Sequence, residues 1–506
     1  MGTAKRRGAR RARALAAVAL LAALAGAWAI PSDVPKLVVL QEHVLLGRYS
    51  EARLTGLVLA TLLAIPVSVW LLLGVGLLEI LARVALVTAS GALGFAIASV
   101  LSYVPATPRY LETPLAELVP DPPEGVRGIT RRRHPNEHIE MVRVDRVSPE
   151  RSYPGAPPGF PTAQITLTTD EVGFRNRSRP ERCETVVLGD SFAEGSMVDD
   201  DEVWPALLAR RTGGCVYNAA VSGASPDVYL ANLVAFGLPL EPRRVLVMVY
   251  EGNDFKPRSA WQPGAPEQSL GDRIRRWRYL AFKGSPLRWR IKAWLLQTAG
   301  PIGADAPLPK EGVLAWMPLR VSGPAGTVVL AFEPKRLLRL GVVEPDRFAE
   351  SRSFTDNAEI FRRISAVARE RGAEVLFVYA PSKVHVALPL VRDRISDRDL
   401  FEFARYDEED LPDPETFGTL VDRNLDTVER TFFDFCTREG FDCLSLTARL
   451  RRHLARGEPV YFTYDPHWTR VGHRVVAEEI EAALARGGAV ASGSPRGRIG
   501  PGSSRP

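Results

Sequence analysis

The sequence predicts an α/β fold, a doubly wound parallel sheet preceded by two or three transmembrane helices. Three observations lead there. From Thr185 onward, short valine-rich runs alternate with amphipathic helical stretches, the pattern of parallel strands joined through helices. The stretch VVLGDSFAEG, Val186 to Gly195, carries an apolar run straight into Gly-Asp-Ser, and open α/β sheets place their chemistry just beyond the carboxyl ends of strands. Near the N-terminus, two apolar blocks are long enough for a bilayer, which takes about 20 helical residues to cross.

Taken in chain order, residues 1–104 read as a membrane anchor with helices near 14–30, 54–78 and 84–104. Lys5, Arg6, Arg7, Arg10, Arg11 and Arg13 precede the first apolar run, and such basic flanks stay on the cytoplasmic side. That run, Ala14 to Ile30, is a first membrane helix or a signal peptide ending at Ala27-Trp28-Ala29. The second block, Leu54 to Val104, is interrupted only by Glu79 and Arg83 and reads as two crossings. With the first segment kept or cleaved, everything after residue 105 lies outside the cytoplasm; one long tilted helix in place of the hairpin would reverse this. The net charge of +6 belongs entirely to the N-terminal basic cluster, since the remaining chain is formally neutral. The charge therefore points to a lipid bilayer and not to nucleic acid.

Residues 105–180 are rich in proline and charge without periodicity and read as a stalk and lead-in. Residues 181–486 hold the α/β domain, with strands expected at Thr185–Leu188, Val216–Asn218, Val245–Tyr250, Glu374–Tyr379 and Cys443–Leu446. The gap between the third and fourth strands exceeds what a crossover needs, so an insertion, 256–350, is expected as a lid or subdomain. Within it, Asp272 to Gln297 interleaves eight basic residues with Trp277, Tyr279, Phe282, Trp289 and Trp294. Such a segment suits a membrane interface, sugar stacking, or a lid helix. Residues 487–506, rich in Gly, Ser, Pro and Arg, read as a disordered tail.

The four cysteines fall into two plausible pairs. Cys183 and Cys215 lead into strands that are neighbours in a flavodoxin-like sheet, and Cys436 and Cys443 bracket a helix-to-strand turn. Disulfides suit an oxidising compartment; buried thiols acting as small hydrophobes are the alternative.

Serine chemistry needs a base, a group that orients it, and donors for an oxyanion. Ser191 is the candidate nucleophile, although an ordinary strand-to-helix turn capped by Ser191 gives the same short motif. In YFTYDPHWTRVGH, Asp465 and His467 stand two apart, and a carboxylate beside an imidazole fixes its tautomer. Only seven histidines occur in the chain. His473 reads as a capping or packing residue, and His385, after a strand end, reads as structural unless it approaches the pocket. Gly223 follows the second strand and can bring its N–H close to a ligand. Asn253 follows the third and offers an amide.

A serine, a glycine and an asparagine after successive strands, then Asp-x-His after the last, resemble the SGNH or GDSL-type hydrolase superfamily over about Glu171 to Arg486. The resemblance implies Ser191 as nucleophile, an oxyanion hole of the Ser191 and Gly223 N–H groups with the Asn253 amide, His467 as general base and Asp465 as its partner. It implies no metal and no cofactor. Two departures stand out. Glu251 occupies the position of a usual glycine two before the asparagine, and the aspartate and histidine are spaced by two positions, not three. DPHW also resembles the Asp-x-His-Trp block of alginate O-acetylation proteins. The expected function is therefore a membrane-anchored ester hydrolase acting on acyl, chiefly O-acetyl, esters of envelope or extracellular carbohydrate through an acyl-Ser191 intermediate. An O-acyltransferase acetylating an exopolysaccharide and a non-catalytic scaffold binding glycan or an assembly partner are the alternatives.

Overall fold

The computed structural model describes residues 2–30, 44–45, 49–101, 110–146, 157–255, 317–341, 344–405 and 411–486. The chain divides into two compact units, one of residues 1–107, 148–155 and 266–315, the other of 108–147, 156–265 and 316–506.

The first unit contains the helices Gly2–Ala29, Glu51–Leu72 and Leu77–Leu101. Among the described residues, one stretch, Gly8–Ala29, is long and apolar enough to cross a membrane. The second apolar block is helical, but its break falls at residues 73–76, where Gly74 takes φ +83°, and not around Glu79 and Arg83. Those two residues lie one turn apart on the third helix and form an ion pair, which lets them sit inside an otherwise apolar helix. Trp28 Nε1 donates to Thr61 Oγ1 at 2.9 Å, joining the first two helices. Leu59, Leu62, Leu73, Leu78 and Leu86 are all more than half exposed.

The second unit is built on five parallel strands: β1 (Thr185–Leu188), β2 (Val216–Asn218), β3 (Arg244–Tyr250), β4 (Glu374–Ala380) and β5 (Asp442–Ser445). Their spatial order is β2-β1-β3-β4-β5, the flavodoxin-like order, in which ligands bind at the switch point between the first and third strands. β1 and β2 begin in register, Thr185 opposite Val216, and β1 pairs β3 from Thr185 opposite Arg244. The central strands β1, β3 and β4 are apolar beyond their first residues, as a parallel sheet covered by helices on both faces requires. Val186, Val187, Leu188 and Val245 to Val249 are essentially inaccessible.

Residues read as a stalk contribute four strands. Leu111–Pro114 pairs Ile129–Arg132, and His138–Arg143 pairs Ala163–Thr168, both antiparallel. Proline and charge hid them, yet Arg133 and Asp145 from this region are buried in the second unit. Of the expected insertion, residues 256–316, including the aromatic-basic stretch, lie outside the described residues, as does the 487–506 tail. The remainder holds an antiparallel hairpin, Met317–Gly323 with Gly326–Phe332. Both cysteine pairs are disulfides, Cys183–Cys215 and Cys436–Cys443. The first joins the starts of β1 and β2, which the sheet order makes neighbours.

Candidate active site

Ser191 begins a one-turn helix, Ser191–Glu194, immediately past β1. The turn between them demands glycine at 189. Its φ is +153°, and a Cβ there would lie 2.7 Å from the Ala193 Cβ and 2.9 Å from the Met248 Cβ. The cap of this helix is Asp190 and not Ser191: Asp190 Oδ1 accepts from the Phe192 N–H at 2.9 Å. The serine hydroxyl is therefore free of capping duty and points elsewhere.

It points at His467. The His467 Nε2 lies 2.7 Å from Ser191 Oγ, and its Nδ1 lies 2.7 Å from Asp465 Oδ1. The same carboxylate oxygen accepts from the His467 backbone N–H at 2.9 Å, so the two-residue spacing lets one oxygen hold both the peptide and the ring. The imidazole also rests against Phe192, ring centroids 4.9 Å apart, while Phe192 stacks on Tyr250 and meets Trp468 edge-on. This aromatic bed supports the plane of the imidazole. Burial works against ionisation of Asp465, but the bond and charge of His467, with the charge of Lys383, leave its carboxyl below the ordinary range. An ionised Asp465 is what an imidazolium at His467 needs.

Asn253 reaches the same corner. Its Nδ2 donates to Asp190 Oδ2 at 2.6 Å, placing the amide beside the residue that precedes the serine. Burial drives Asp190 above the usual carboxylate range. Gly223 sits in the turn after β2 at φ +71°, a conformation that favours glycine. Its carbonyl accepts from Arg131 Nη1 at 3.1 Å, and its neighbour Ser222 donates to Glu194 Oε2. Glu194 is buried, gripped by Arg133 through two bonds of 2.6 and 2.9 Å. Glu194 thus joins the serine helix both to Arg133 and, through Ser222, to the Gly223 turn. Neither Arg133 nor Glu194 stood out in the sequence; a glutamate one turn after the serine was the available signal.

The glutamate standing in place of glycine is accounted for. Glu251 is buried and accepts from the Ser382 N–H at 2.8 Å and from the Tyr379 hydroxyl at 2.5 Å, with His385 Nδ1 at 2.8 Å. Burial opposes both charges, yet Glu251 is held low and His385 high by their mutual attraction. The ring nitrogens of His385 face Glu251 and Glu429, so this histidine braces the turn leading to Asn253 and does not join Ser191. His473 is a packing residue: its Nδ1 accepts from the Trp204 N–H at 3.3 Å, and burial lowers its pKa to about 3. No cluster of metal-ligating side chains occurs among the described residues.

No protein-family model matches the chain, and no curated protein matches it. Solved structures similar to it include TesA, 14% identical, covering 60% of this chain and 98% of its own with a TM-score of 0.27. An acetyl xylan esterase, AlAXEase, is 10% identical, covering 59% of this chain and 99% of its own, TM-score 0.27. An extracellular lipase from Streptomyces rimosus is 14% identical, covering 58% and 98%, TM-score 0.28. At such values these likenesses carry no weight for the chemistry, which the side chains of the site must supply.

Proposed function

We propose that this chain is a membrane-anchored serine ester hydrolase of the SGNH type. Its substrates are acyl esters, chiefly O-acetyl esters of cell-envelope or extracellular carbohydrate, and its site faces away from the cytoplasm. The observation that carries the reading is the unbroken chain from Ser191 Oγ through both nitrogens of His467 to Asp465, at the carboxyl end of β1.

In this reading His467 Nε2 takes the Ser191 proton as Oγ bonds to the acyl carbon, and the carbonyl electron pair moves onto oxygen. Asp465 holds Nδ1–H and stabilises the imidazolium. The Ser191 and Gly223 N–H groups and the Asn253 amide donate to the oxyanion. Collapse of the intermediate breaks the bond to the alcohol oxygen, which leaves with the proton from Nε2. Water then attacks the acyl-serine by the same route, and Ser191 recovers its proton. Disulfides in both cysteine pairs and a basic N-terminal flank ahead of an apolar helix support an external site.

The test of the chemistry is labelling of the full-length protein with an active-site fluorophosphonate. Wild type should label and Ser191→Ala should not; equal labelling would remove Ser191 as the nucleophile, and none in either would return the chain to a non-catalytic scaffold. Turnover of acetylated oligosaccharides should release acetate; an acetylated acceptor sugar instead would convert the reading to acyl transfer. For the location, a C-terminal alkaline phosphatase fusion should be active, and an inactive fusion overturns the topology.

A further inference from the structure

Asp465 and His467 stand on a six-residue loop, Phe462 to His467, closed by an isolated antiparallel bridge between Tyr461 and Trp468. The loop is neither helix nor strand, and Phe462, Thr463 and Tyr464 are buried. A buried irregular segment must still find partners for its peptide groups. Here two charged side chains provide them.

Lys383 is 4% exposed. Its ammonium donates to the carbonyls of Phe462 at 3.0 Å, Thr463 at 2.7 Å and Asp465 at 3.0 Å. All three of its N–H donors are spent on this one loop. Asp145 takes the opposite polarity. Its Oδ2 accepts from the Thr463 N–H at 2.8 Å, and its Oδ1 accepts from the N–H groups of Tyr464 and Asp465, both at 2.9 Å. Residue 465 is thus held at its amide by Asp145 and at its carbonyl by Lys383, with its carboxylate left to aim at His467. Two buried charges serving one loop would be a costly way to obtain stability alone, because apolar residues fill such space at less cost. They do supply direction: three carbonyls converging on one point fix where the next peptide plane lies.

We propose that Lys383, with Asp145 as its counterpart, is a positioning residue for catalysis, orienting the Asp465–His467 pair toward Ser191 through the loop backbone. This rests on the serine hydrolase reading. The position of Lys383 agrees with it. The residue follows β4 in Ala-Pro-Ser-Lys, at the same carboxyl edge of the sheet as Ser191, and its neighbour Ser382 donates its N–H to Glu251. One short segment therefore braces the loop of the base and the turn before Asn253.

The experiment compares fluorophosphonate labelling and p-nitrophenyl acetate hydrolysis in full-length wild type, Ser191→Ala and Lys383→Met. A displacement of about 1 Å in a catalytic group costs on the order of 100-fold. Lys383→Met should therefore label to the same endpoint as wild type but 10- to 100-fold more slowly (about that range from the same rule), with kcat reduced alike and KM little changed. Amide exchange should rise at Thr463, Tyr464 and Asp465 and not across the sheet. A lowered endpoint at an unchanged rate means loss of fold in a fraction of molecules and overturns a positioning role, as does an unchanged rate. Should Lys383→Met fail to fold, Lys383→Gln, which keeps two N–H donors, carries the same comparison with an intermediate loss expected. Absence of labelling in wild type removes the serine reading and this proposal together; labelling of wild type with no Lys383 effect removes this proposal alone.

Discussion

His467 Nε2 lies 2.7 Å from Ser191 Oγ across 276 residues of sequence. Between them run β2, β3, β4 and β5, and both residues come to the same end of the sheet because all five strands are parallel. The bond exists only if His467 presents Nε2 outward, and Asp465 at Nδ1 enforces that orientation.

From this geometry follows an order of severity. Ser191→Ala and His467→Ala should each reduce ester hydrolysis by about 10⁴-fold or more, and the double variant should lose little further, because the groups act as a unit. Asp465→Asn should cost less than either. Steady-state rates on p-nitrophenyl acetate check the order; losses that multiply in the double variant would show that Ser191 and His467 do not share one step.

Activity and stability should diverge above neutral pH. Burial lowers Lys383 to about 7, with Asp145, Asp465 and Glu333 favouring its charge and Arg336 opposing it. As pH rises through that value the amine keeps two N–H donors for three carbonyls, so the rate should fall. The folded pKa lies below the unfolded one, so between about 7 and 10.5 the unfolded chain holds more protons and this group makes the fold more stable as pH rises. Rate and melting temperature measured on one set of buffers should move oppositely. In Lys383→Met this decline in rate should disappear.

His473 should govern part of the acid unfolding. Its pKa is about 3 in the fold against 6.5 in the free side chain, so its contribution is complete above pH 6.5 and is lost as pH falls toward 3. The slope reaches at most about 1.4 kcal/mol per pH unit. Protonation also removes the acceptor used by the Trp204 N–H. His473→Gln should flatten the pH dependence of urea unfolding over that window, and an unchanged slope would count against it.

The pair Arg133–Glu194 should show the cost of a buried charge left alone. The two side chains are 4% and 2% exposed. Arg133→Met should destabilise by about 3–5 kcal/mol, whereas Arg133→Met with Glu194→Leu should recover much of the loss. Denaturant midpoints measure both. Because Ser222 also bonds Glu194, the single variant should slow hydrolysis as well.

The sequence by itself determined the five strands, their parallel order and the residues at their ends. Valine-rich runs and glycine stops are local signals, and parallel connectivity follows from the helices between them. It also marked Ser191, Asp465 and His467, since a hydroxyl, an acid and an imidazole declare their chemistry by type. The two cysteine pairs were candidates, with buried thiols the alternative, until the structure closed both as disulfides. What only the tertiary structure decided is how these residues are held. Arg133, Glu194, Asp145 and Lys383 are ordinary charged residues in a chain that is 25% charged. Nothing local distinguishes a buried lysine facing three carbonyls from one in water. Glu251 looked like a defect in a motif until its partners, Tyr379, Ser382 and His385, came from more than 120 residues away. The four strands of residues 111–168 were hidden by proline and charge for the same reason. Periodicity records which face of an element is buried, whereas the partner of a buried polar group is fixed by chain segments that meet only in the fold.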